Sequence, residues 1–379
     1  MPYWRLSGFY LFYFGALGAL VPYWGLYLQD QGLTPLAIGE LMAILTGTKL
    51  VAPNLWGWLA DRTGAGMRLV RLACLLAALT FTAIFFARGF WAIAAVMFVA
   101  SFFWNAALPQ MEAITFNHLG PRANRYASVR LWGSIGFIIT VAGVGWLLAG
   151  QGTGMVPWVV LALFFGIWAA SLLVPVAVQG HQGLGEDSLR RLLRRPEILA
   201  FLASCLLMQV SHGAYYAFYS IYLKSAGYGS PAVGGLWAWA VFVEVLVFLR
   251  MHRLLERFGA RRVMLASLAL AVLRWLLIGN LVDLVAVQVL AQALHAATFG
   301  AFHAAAIHLA HHYFPRRAQG RGQALYNSLS FGAGGAAGSL LAGRLWTDFD
   351  PAVTFGIAAC AAGLGWLVAW VWVDRGRRF

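Results

Sequence analysis

Acidic residues are scarce in this chain. Only 13 Asp and Glu stand against 27 Lys and Arg, and charged residues of either sign fill just 11% of 379 positions. A soluble domain carries about 25%. So few charges cannot clothe a water-facing surface, which excludes an ordinary soluble protein. With 61% hydrophobic residues and a mean hydropathy of +0.73, the surrounding solvent is lipid. Cysteine is also rare. Cys74, Cys205 and Cys360 sit in separate apolar segments without metal-ligand spacing, and they read as core thiols rather than a disulfide framework or a metal site. Lysine is nearly missing: Lys49 and Lys224 are the only two, the rest being arginine, a usage typical of a GC-rich bacterial genome. No Walker loop, Gly-rich phosphate cradle or Ser-His-Asp arrangement is present. That excludes a nucleotide-driven machine, and no cofactor is called for. No small-residue cleavage site follows the first apolar run, so that run is expected to remain as a helix rather than leave as a signal peptide.

What the chain does contain is about twelve apolar stretches, near 4–27, 36–60, 68–88, 90–117, 125–149, 155–178, 197–223, 232–250, 262–281, 284–310, 321–344 and 352–373. Each is long enough to cross about 30 Å of hydrocarbon. Backbone groups in lipid must pair within their own segment, so these are helices. The expected class is an all-α membrane protein of twelve transmembrane helices in two pseudo-symmetric six-helix bundles. The bundles span 1–178 and 197–379, and a cytoplasmic linker at 179–196 joins them. Trp4, Trp91, Trp158, Trp346 and Trp372 lie near span ends, where interface anchors belong.

The net charge of +14 points at first sight to nucleic acid. Its distribution argues otherwise. Of the 27 cations, 21 fall on every second loop or the termini: Arg5, Arg62, Arg68, Arg71, Arg122, Arg125, the run from Arg190 to Arg195, the run from Arg250 to Arg262, Arg316, Arg317, Arg321, and the run from Arg375 to Arg378. The alternate loops hold only Arg88, Lys224 and Arg344. This is the positive-inside asymmetry of a multi-pass protein. It excludes a nucleic-acid footprint and places both termini in the cytoplasm, at the inner membrane of a bacterium.

The two halves repeat. At a shift of 195, Tyr27, Leu28, Gly32, Ala37, Gly39 and Leu41 meet Tyr222, Leu223, Gly227, Ala232, Gly234 and Leu236. Leu59, Asp61, Arg62 and Gly64 meet Leu254, Glu256, Arg257 and Gly259. Each half thus carries an acid-Arg-x-Gly turn after its second span. Gly133-x-x-Gly136 and the run Gly332, Gly334, Gly335, Gly338 permit close helix contact.

Six plus six helices with this turn resemble the major facilitator superfamily, and Gly57-x-Leu59-Ala60-Asp61-Arg62-x-Gly64 is close to that superfamily's signature loop. The resemblance implies a gating loop: Asp61 accepts bonds from a helix end in the other half, and Arg62 pairs nearby. The second copy, with Glu256, Arg257 and Gly259, departs from the pattern at His252, where glycine is expected. More narrowly, Pro22-Tyr23-Trp24, Gly32-Leu33-Thr34-Pro35 with Ile38-Gly39, Val129-Arg130-Leu131-Trp132-Gly133-Ser134, His212-Gly213-Ala214-Tyr215-Tyr216, Arg274-Trp275, and Leu294-His295 with Thr298-Phe299 resemble the bacterial phenylpropionic acid permease group. That group is distantly similar to the oligosaccharide symporters. The resemblance implies a proton symporter for a small organic acid.

Ionisable groups inside spans are costly, and each invites a functional reading with a partner. Lys49 lies in the second span, Glu112 in the fourth, Arg130 in the fifth, His212 in the seventh, Glu244 in the eighth, Arg274 in the ninth, and His295 and His303 in the tenth. Glu112 and Arg130 each stand about six residues from the same cytoplasmic turn, roughly 9 Å deep at about 1.5 Å per residue. They are expected to form a bidentate pair, either structural or substrate-binding. Lys49 and Glu244 are related by the repeat, and either meet each other or serve their own halves. Gln209, His212, Tyr216 and Ser220 make a polar stripe on the seventh span. Gln288, Gln292 and His295 share a face of the tenth, with His303 about 80° away at the helical step of about 100° per residue. His308, His311 and His312 lack a neighbouring carboxylate or thiol and read as a solvated helix end rather than a metal site.

The expected activity is secondary transport of a small molecule with a proton, by a monomer rocking between two access states. Arg130 or Arg274 would hold the cargo carboxylate. Glu112, His212, His295, Tyr23, Trp24, Tyr215 and Tyr216 would complete the binding site. Glu244, His295, His303 and Lys49 would carry the proton, since buried carboxylates and imidazoles can exchange one near neutral pH. The alternatives are a sugar, oligosaccharide or nucleoside symporter of the same fold, and, from a different class, a membrane enzyme or non-transporting receptor.

Overall fold

Backbone amides have no partner in hydrocarbon, and the apolar runs satisfy theirs by forming helices. The computed structural model describes residues 2–176, 192–314 and 319–374, and no strand occurs among the described residues. Among the described residues, eleven helices are long and apolar enough to cross a membrane: α1 (Tyr3–Asp30), α2 (Pro35–Thr63), α3 (Gly66–Phe85), α4 (Gly89–Arg122), α5 (Tyr126–Gln151), α6 (Thr153–Leu173), α7 (Pro196–Ser225), α8 (Ser230–Phe248), α9 (Ala260–Asn280), α10 (Val285–Tyr313) and α12 (Pro351–Trp372). Between the last two lies α11, residues 319–348, built of three consecutive helical segments. Its opening turns carry Gln319, Arg321, Gln323 and Asn327 and are too polar to read as lipid-facing. The twelve helices expected from hydropathy are therefore all helical. A short helix, Met251–Phe258, joins α8 to α9. The expected linker at 179–196 lies mostly outside the described residues.

The repeat survives in backbone conformation. Gly32 and Gly227 both adopt positive φ, 79° and 86°. After each, the amide of the next residue reaches back to the helix it leaves: Leu33 to the Leu28 carbonyl at 3.2 Å, and Tyr228 to the Leu223 carbonyl at 3.0 Å. These are matching helix C-caps, each closed by a glycine that tolerates the left-handed region. Gly64 (φ 64°) and Gly259 (φ 76°) likewise end α2 and the short helix in the two acid-Arg-x-Gly turns.

Two departures from regular helix matter for function. The second span is not continuous: α2 breaks into a tight turn at Thr48–Leu50, just before Pro53. A proline cannot donate and crowds the preceding turn. The Leu45 carbonyl accepts from Thr48 Oγ1 at 3.3 Å and from the Asn105 amide of α4 at 2.9 Å, and that amide also bonds Thr48 Oγ1 at 2.8 Å. Lys49 sits in that break. In the other half, α10 and α11 each contain a π-helical stretch, Ala296–Ala301 and Ser328–Gly334. Such wide turns are concentrated at functional sites.

The chain forms two compact units. One is Met1–His181 with Tyr219–Ala238; the other is Gln182–Phe218 with Trp239–Phe379. In the first, α1 packs on α5 and α6, and α3 packs on α4 and α6. In the second, α9 packs on α12 and α10. Lipid removes most of the hydrophobic drive between helices, so contact depends on small residues and shape. Gly213 of α7 lies against the backbone of Gly338 in α11, where a side chain would overlap it. Trp4, Trp91, Trp158 and Trp372 are exposed near helix ends, as interface anchors are. Trp346 instead stacks on Phe218 at 4.8 Å.

Candidate functional site

The second unit gathers most of the intramembrane polar groups into one network. Arg274 of α9 is completely buried. Its Nε donates to the Ala291 carbonyl at 2.9 Å, its Nη2 to Gln292 Oε1 at 3.3 Å, and its Nη1 to His295 Nδ1 and Thr298 Oγ1 at 3.1 Å each. Tyr215 of α7 donates to Gln292 Oε1 at 2.9 Å and lays its ring 4.2 Å from the guanidinium carbon. The far nitrogen of His295, Nε2, stands 3.4 Å from Glu244 Oε2. The elements explain the convergence. Gln288, Gln292 and His295 follow one face of α10, and Arg274 stands on α9, packed against it.

This geometry fixes a tautomer. A guanidinium has no lone pair to offer, so His295 Nδ1 must accept. The single ring proton of neutral His295 is then on Nε2, directed at the Glu244 carboxylate. Glu244, His295 and Arg274 form a relay in which a carboxylate and a buried cation are joined through one imidazole. Doubly protonating His295 would sacrifice its bond to Arg274. Glu244 is thus the member of the chain able to take up a proton without breaking that link.

His212 is also fully buried. Its Nδ1 lies 2.8 Å from the Met208 carbonyl and so carries the proton, while Nε2 has no partner among the described residues. His303 Nδ1 meets the Tyr326 hydroxyl at 2.9 Å. Of the polar stripe expected on α7, Gln209, His212 and Ser220 are buried, and Ser220 accepts from Trp237 Nε1 at 3.0 Å. Tyr216 alone is half-buried. Across the π turn the His295, Phe299 and His303 rings follow one another, nearly parallel at 6° and 10°, with successive centres 5.2 and 6.4 Å apart.

In the first unit the two cations inside the spans, Lys49 and Arg130, make no ion pair among the described residues. Glu112 and Arg130 do not form the expected pair, with no ion pair within 4.0 Å between them. The Tyr126 ring, stacked 4.4 Å from Phe116, places its hydroxyl 3.1 Å from Glu112 Oε1 and takes that carboxylate first. Arg130 turns instead onto α1, its guanidinium carbon 3.6 Å from the Phe14 ring centre. Arg130 is half-buried and makes no hydrogen bond or ion pair among the described residues, and the same is true of Lys49. Equal depth in the membrane set Glu112 and Arg130 at the same level, but side-chain direction decided their partners.

Several expected cargo contacts are structural in this fold. Tyr23 and Trp24 are wholly buried in the first unit; Tyr23 donates to the Val141 carbonyl at 2.6 Å, and Trp24 Nε1 reaches Met97 Sδ at 3.2 Å. Tyr215 is equally buried, and Arg274 is engaged at Nε, Nη1 and Nη2. In the gating turn, Gly57 lies within α2 beside Gln110, and Asp61 is exposed and makes no hydrogen bond among the described residues. Arg62 lies over Trp58 at 5.4 Å rather than on an acid. In the second copy His252, the departure from glycine, holds Glu256 at 3.1 Å within one helical turn, and Arg257 lies over Phe258 at 5.3 Å. Residues that sequence reasoning passed over are Gln292 and Thr298 as Arg274 partners, Tyr126 and Phe14 as partners of Glu112 and Arg130, and the π turns. Gln292 was on the expected face; a π turn leaves no pattern in a single sequence.

The comparisons agree with this architecture. Residues 3–357 match the model of the family described as "MFS_1 like family". A protein of Escherichia coli (strain K12), described as "Probable 3-phenylpropionic acid transporter", is 32% identical over 90% of this chain and 90% of its own length. The maltose permease of Geobacillus stearothermophilus is 28% identical over 89% of this chain and 86% of its own. Among solved structures, the nucleoside transporter NupG superposes with a TM-score of 0.85 over 99% of this chain and 100% of its own, at 17% identity, which speaks to the fold alone. A family match over nearly the whole chain, a relative above 30% identity, twelve helices and a polar network inside them lead to one conclusion: the chain belongs to the MFS_1-like family and is a multi-pass secondary transporter of the major facilitator type, not an enzyme.

Proposed function

We propose that this protein is a proton symporter that imports a small organic acid, an aromatic carboxylate first, by alternating access, acting as a monomer in a bacterial inner membrane with both termini cytoplasmic. The observation that carries the reading is the contrast between two arginines. Arg274 is sealed in the second unit with its donors engaged. Arg130 is half-buried, with no carboxylate or carbonyl on it. A guanidinium inside a membrane helix with unspent donors favours an anion, and its planar fork fits a carboxylate. The name carried by the E. coli relative supports the same cargo class. Glu112, held by Tyr126, is placed in this reading to set the orientation of the acid rather than to neutralise Arg130.

The Glu244–His295–Arg274 chain supplies the coupling. With Glu244 ionised, the buried charges of the chain balance. A proton on Glu244 leaves Arg274 without its balancing charge in a low-dielectric interior, so protonation changes the state of the whole chain of groups. In this reading Glu244 carries the symported proton. His303, bonded to Tyr326, and Lys49, in the α2 break, are supporting members. The test is proteoliposomes given a panel of acids and sugars while external pH is followed. Transient alkalinisation on adding an aromatic acid is expected. A response confined to sugars or nucleosides would move the cargo to the second class, and no pH change with an accumulating substrate would remove the proton.

A further inference from the structure

Glycine inside a helix weakens it relative to alanine, so a buried one there answers to its neighbours. Several glycines of the second unit serve helix packing. A methyl group on Gly213 would strike the backbone of Gly338, one on Gly334 the Leu206 carbonyl, and one on Gly338 the Val210 carbonyl. Gly300 is different. It is buried in the π turn of α10 and needs no left-handed torsion. A Cβ there would lie 2.8 Å from Glu244 Cγ, 3.5 Å from Glu244 Cδ and 3.4 Å from Phe248 Cε2. Carbon atoms in contact rest about 3.5–4.0 Å apart. The space that Gly300 leaves is therefore taken by the Glu244 side chain of α8, not by a neighbouring backbone.

The same turn holds both ends of the relay. His295, just before it, has Nε2 3.4 Å from Glu244 Oε2 and Nδ1 3.1 Å from Arg274 Nη1, and Thr298 within it accepts from Arg274 at 3.1 Å. Tyr215 and Tyr216 of α7 also lie near enough to Glu244 to feel its charge. The separation of Glu244 from His295 is at the long end of hydrogen-bond reach. A displacement of a few tenths of an ångström decides whether that link holds, and a methyl group on Gly300 would push on the Glu244 stem directly.

We propose that Gly300 is a positioning residue of the proton relay: the side chain it lacks leaves the seat in which Glu244 meets His295. The inference rests on the proton-coupling reading above and adds the residue that sets the geometry of the coupling.

The experiment compares the wild type with Gly300→Ala and with Gly356→Ala, a control on α12 where a Cβ would meet nothing within 4 Å. One readout is the infrared band of the protonated Glu244 carboxyl as pH is varied, assigned by its absence in Glu244→Gln; it needs no cargo. The other is accumulation of 3-phenylpropionate in proteoliposomes under a pH gradient, beside exchange of internal for external acid. Gly300→Ala should move the pH midpoint of the band by about 0.3–1 unit and lower accumulation about 2- to 10-fold, the worth of one hydrogen bond, while exchange continues. Gly356→Ala should match the wild type in both. An unmoved midpoint in Gly300→Ala would overturn the proposal and leave the coupling reading intact, whatever the cargo. A wild type with neither a titrating Glu244 band nor gradient-driven uptake would overturn the coupling reading and the proposal with it. Should Gly300→Ala fail to fold, the double variant Gly300→Ala with Glu244→Ala, which removes the obstructing carbons, decides. Recovered folding assigns the space to Glu244, and continued failure makes Gly300 a packing glycine and overturns the proposal.

Discussion

Arg130 and Arg274 are the same residue type in equivalent surroundings of hydrocarbon, yet they should answer mutation in opposite ways. Arg274→Leu removes the cation that balances Glu244 through His295 and strands the partners of its donors. Breaking a buried pair from one side costs about 3–5 kcal/mol, so the variant should lose thermal stability in detergent or fail to accumulate in membranes. Arg130→Gln gives up its contacts over the Phe14 and Tyr10 rings, about 0.5–1 kcal/mol each, and should purify as well-folded protein. Its affinity for the acid should fall roughly 10- to 100-fold, the worth of a charge-assisted bond of about 1.5–3 kcal/mol. Tryptophan-fluorescence melts beside ligand binding would separate the two, and a stable, fully binding Arg130→Gln would end the anion-site assignment. Glu244→Gln is the companion test. The amide oxygen still accepts from His295 Nε2, so the fold should hold and exchange of internal for external substrate should continue. Accumulation driven by a pH gradient should vanish, and the rise in uptake as external pH falls should flatten. An unstable Glu244→Gln rescued by neutralising Arg274 would show that Glu244 is only a counter-ion.

At the scale of elements, the departures from regular helix carry the specificity of the design. The α2 break is braced by Asn105, whose amide donates to the Leu45 carbonyl and to Thr48 Oγ1. Asn105→Leu removes both bonds, leaving the Leu45 carbonyl only its contact with Thr48 Oγ1, and should cost about 1–3 kcal/mol, seen as a lowered melting temperature. The gating turn poses a different question. Asp61 is exposed and unbonded among the described residues, so Asp61→Asn should leave stability within about 0.5 kcal/mol of wild type. If it latches one access state, as the family loop implies, steady-state uptake should nevertheless drop several-fold. Unchanged uptake would reduce Asp61 to a residue that marks topology.

For the whole molecule, the arginine distribution makes a prediction independent of any side-chain contact. A cytoplasm-active reporter fused after Gly185 should give signal and one fused after Lys224 should not, because cationic loops stay on the cytoplasmic side. The reverse pattern would invert the molecule. The two compact units repeat the same turns at Gly32 and Gly227 and at Gly64 and Gly259, yet they have diverged chemically. In the first, Lys49 and Arg130 make no ion pair among the described residues, and the second holds an acid, an imidazole and an arginine in series. In the function proposed above, the first unit binds the anion and the second carries the proton.

Sequence alone determined the class, the number of helices, the repeat and the residues worth attention, because these depend on hydropathy, on charge placement and on a few glycines whose conformations are local. It also singled out Glu244, Arg274 and His295 through the cost of placing polar groups in lipid. Tertiary structure decided who bonds whom. Equal depth suggested that Glu112 meets Arg130, but Tyr126 reaches the carboxylate first and Phe14 takes the guanidinium, and no one-dimensional spacing encodes that competition. Helical arithmetic says nothing of the π turn that lies between His295 and His303 and puts Phe299 between their rings. Tyr23 and Trp24, expected to help complete the binding site, are buried, with Tyr23 on the Val141 carbonyl and Trp24 on Met97. Burial, tautomer and partner are properties of neighbours brought together from distant segments, and in this chain they separate Arg274, engaged in a buried network, from Arg130, which makes no hydrogen bond or ion pair among the described residues.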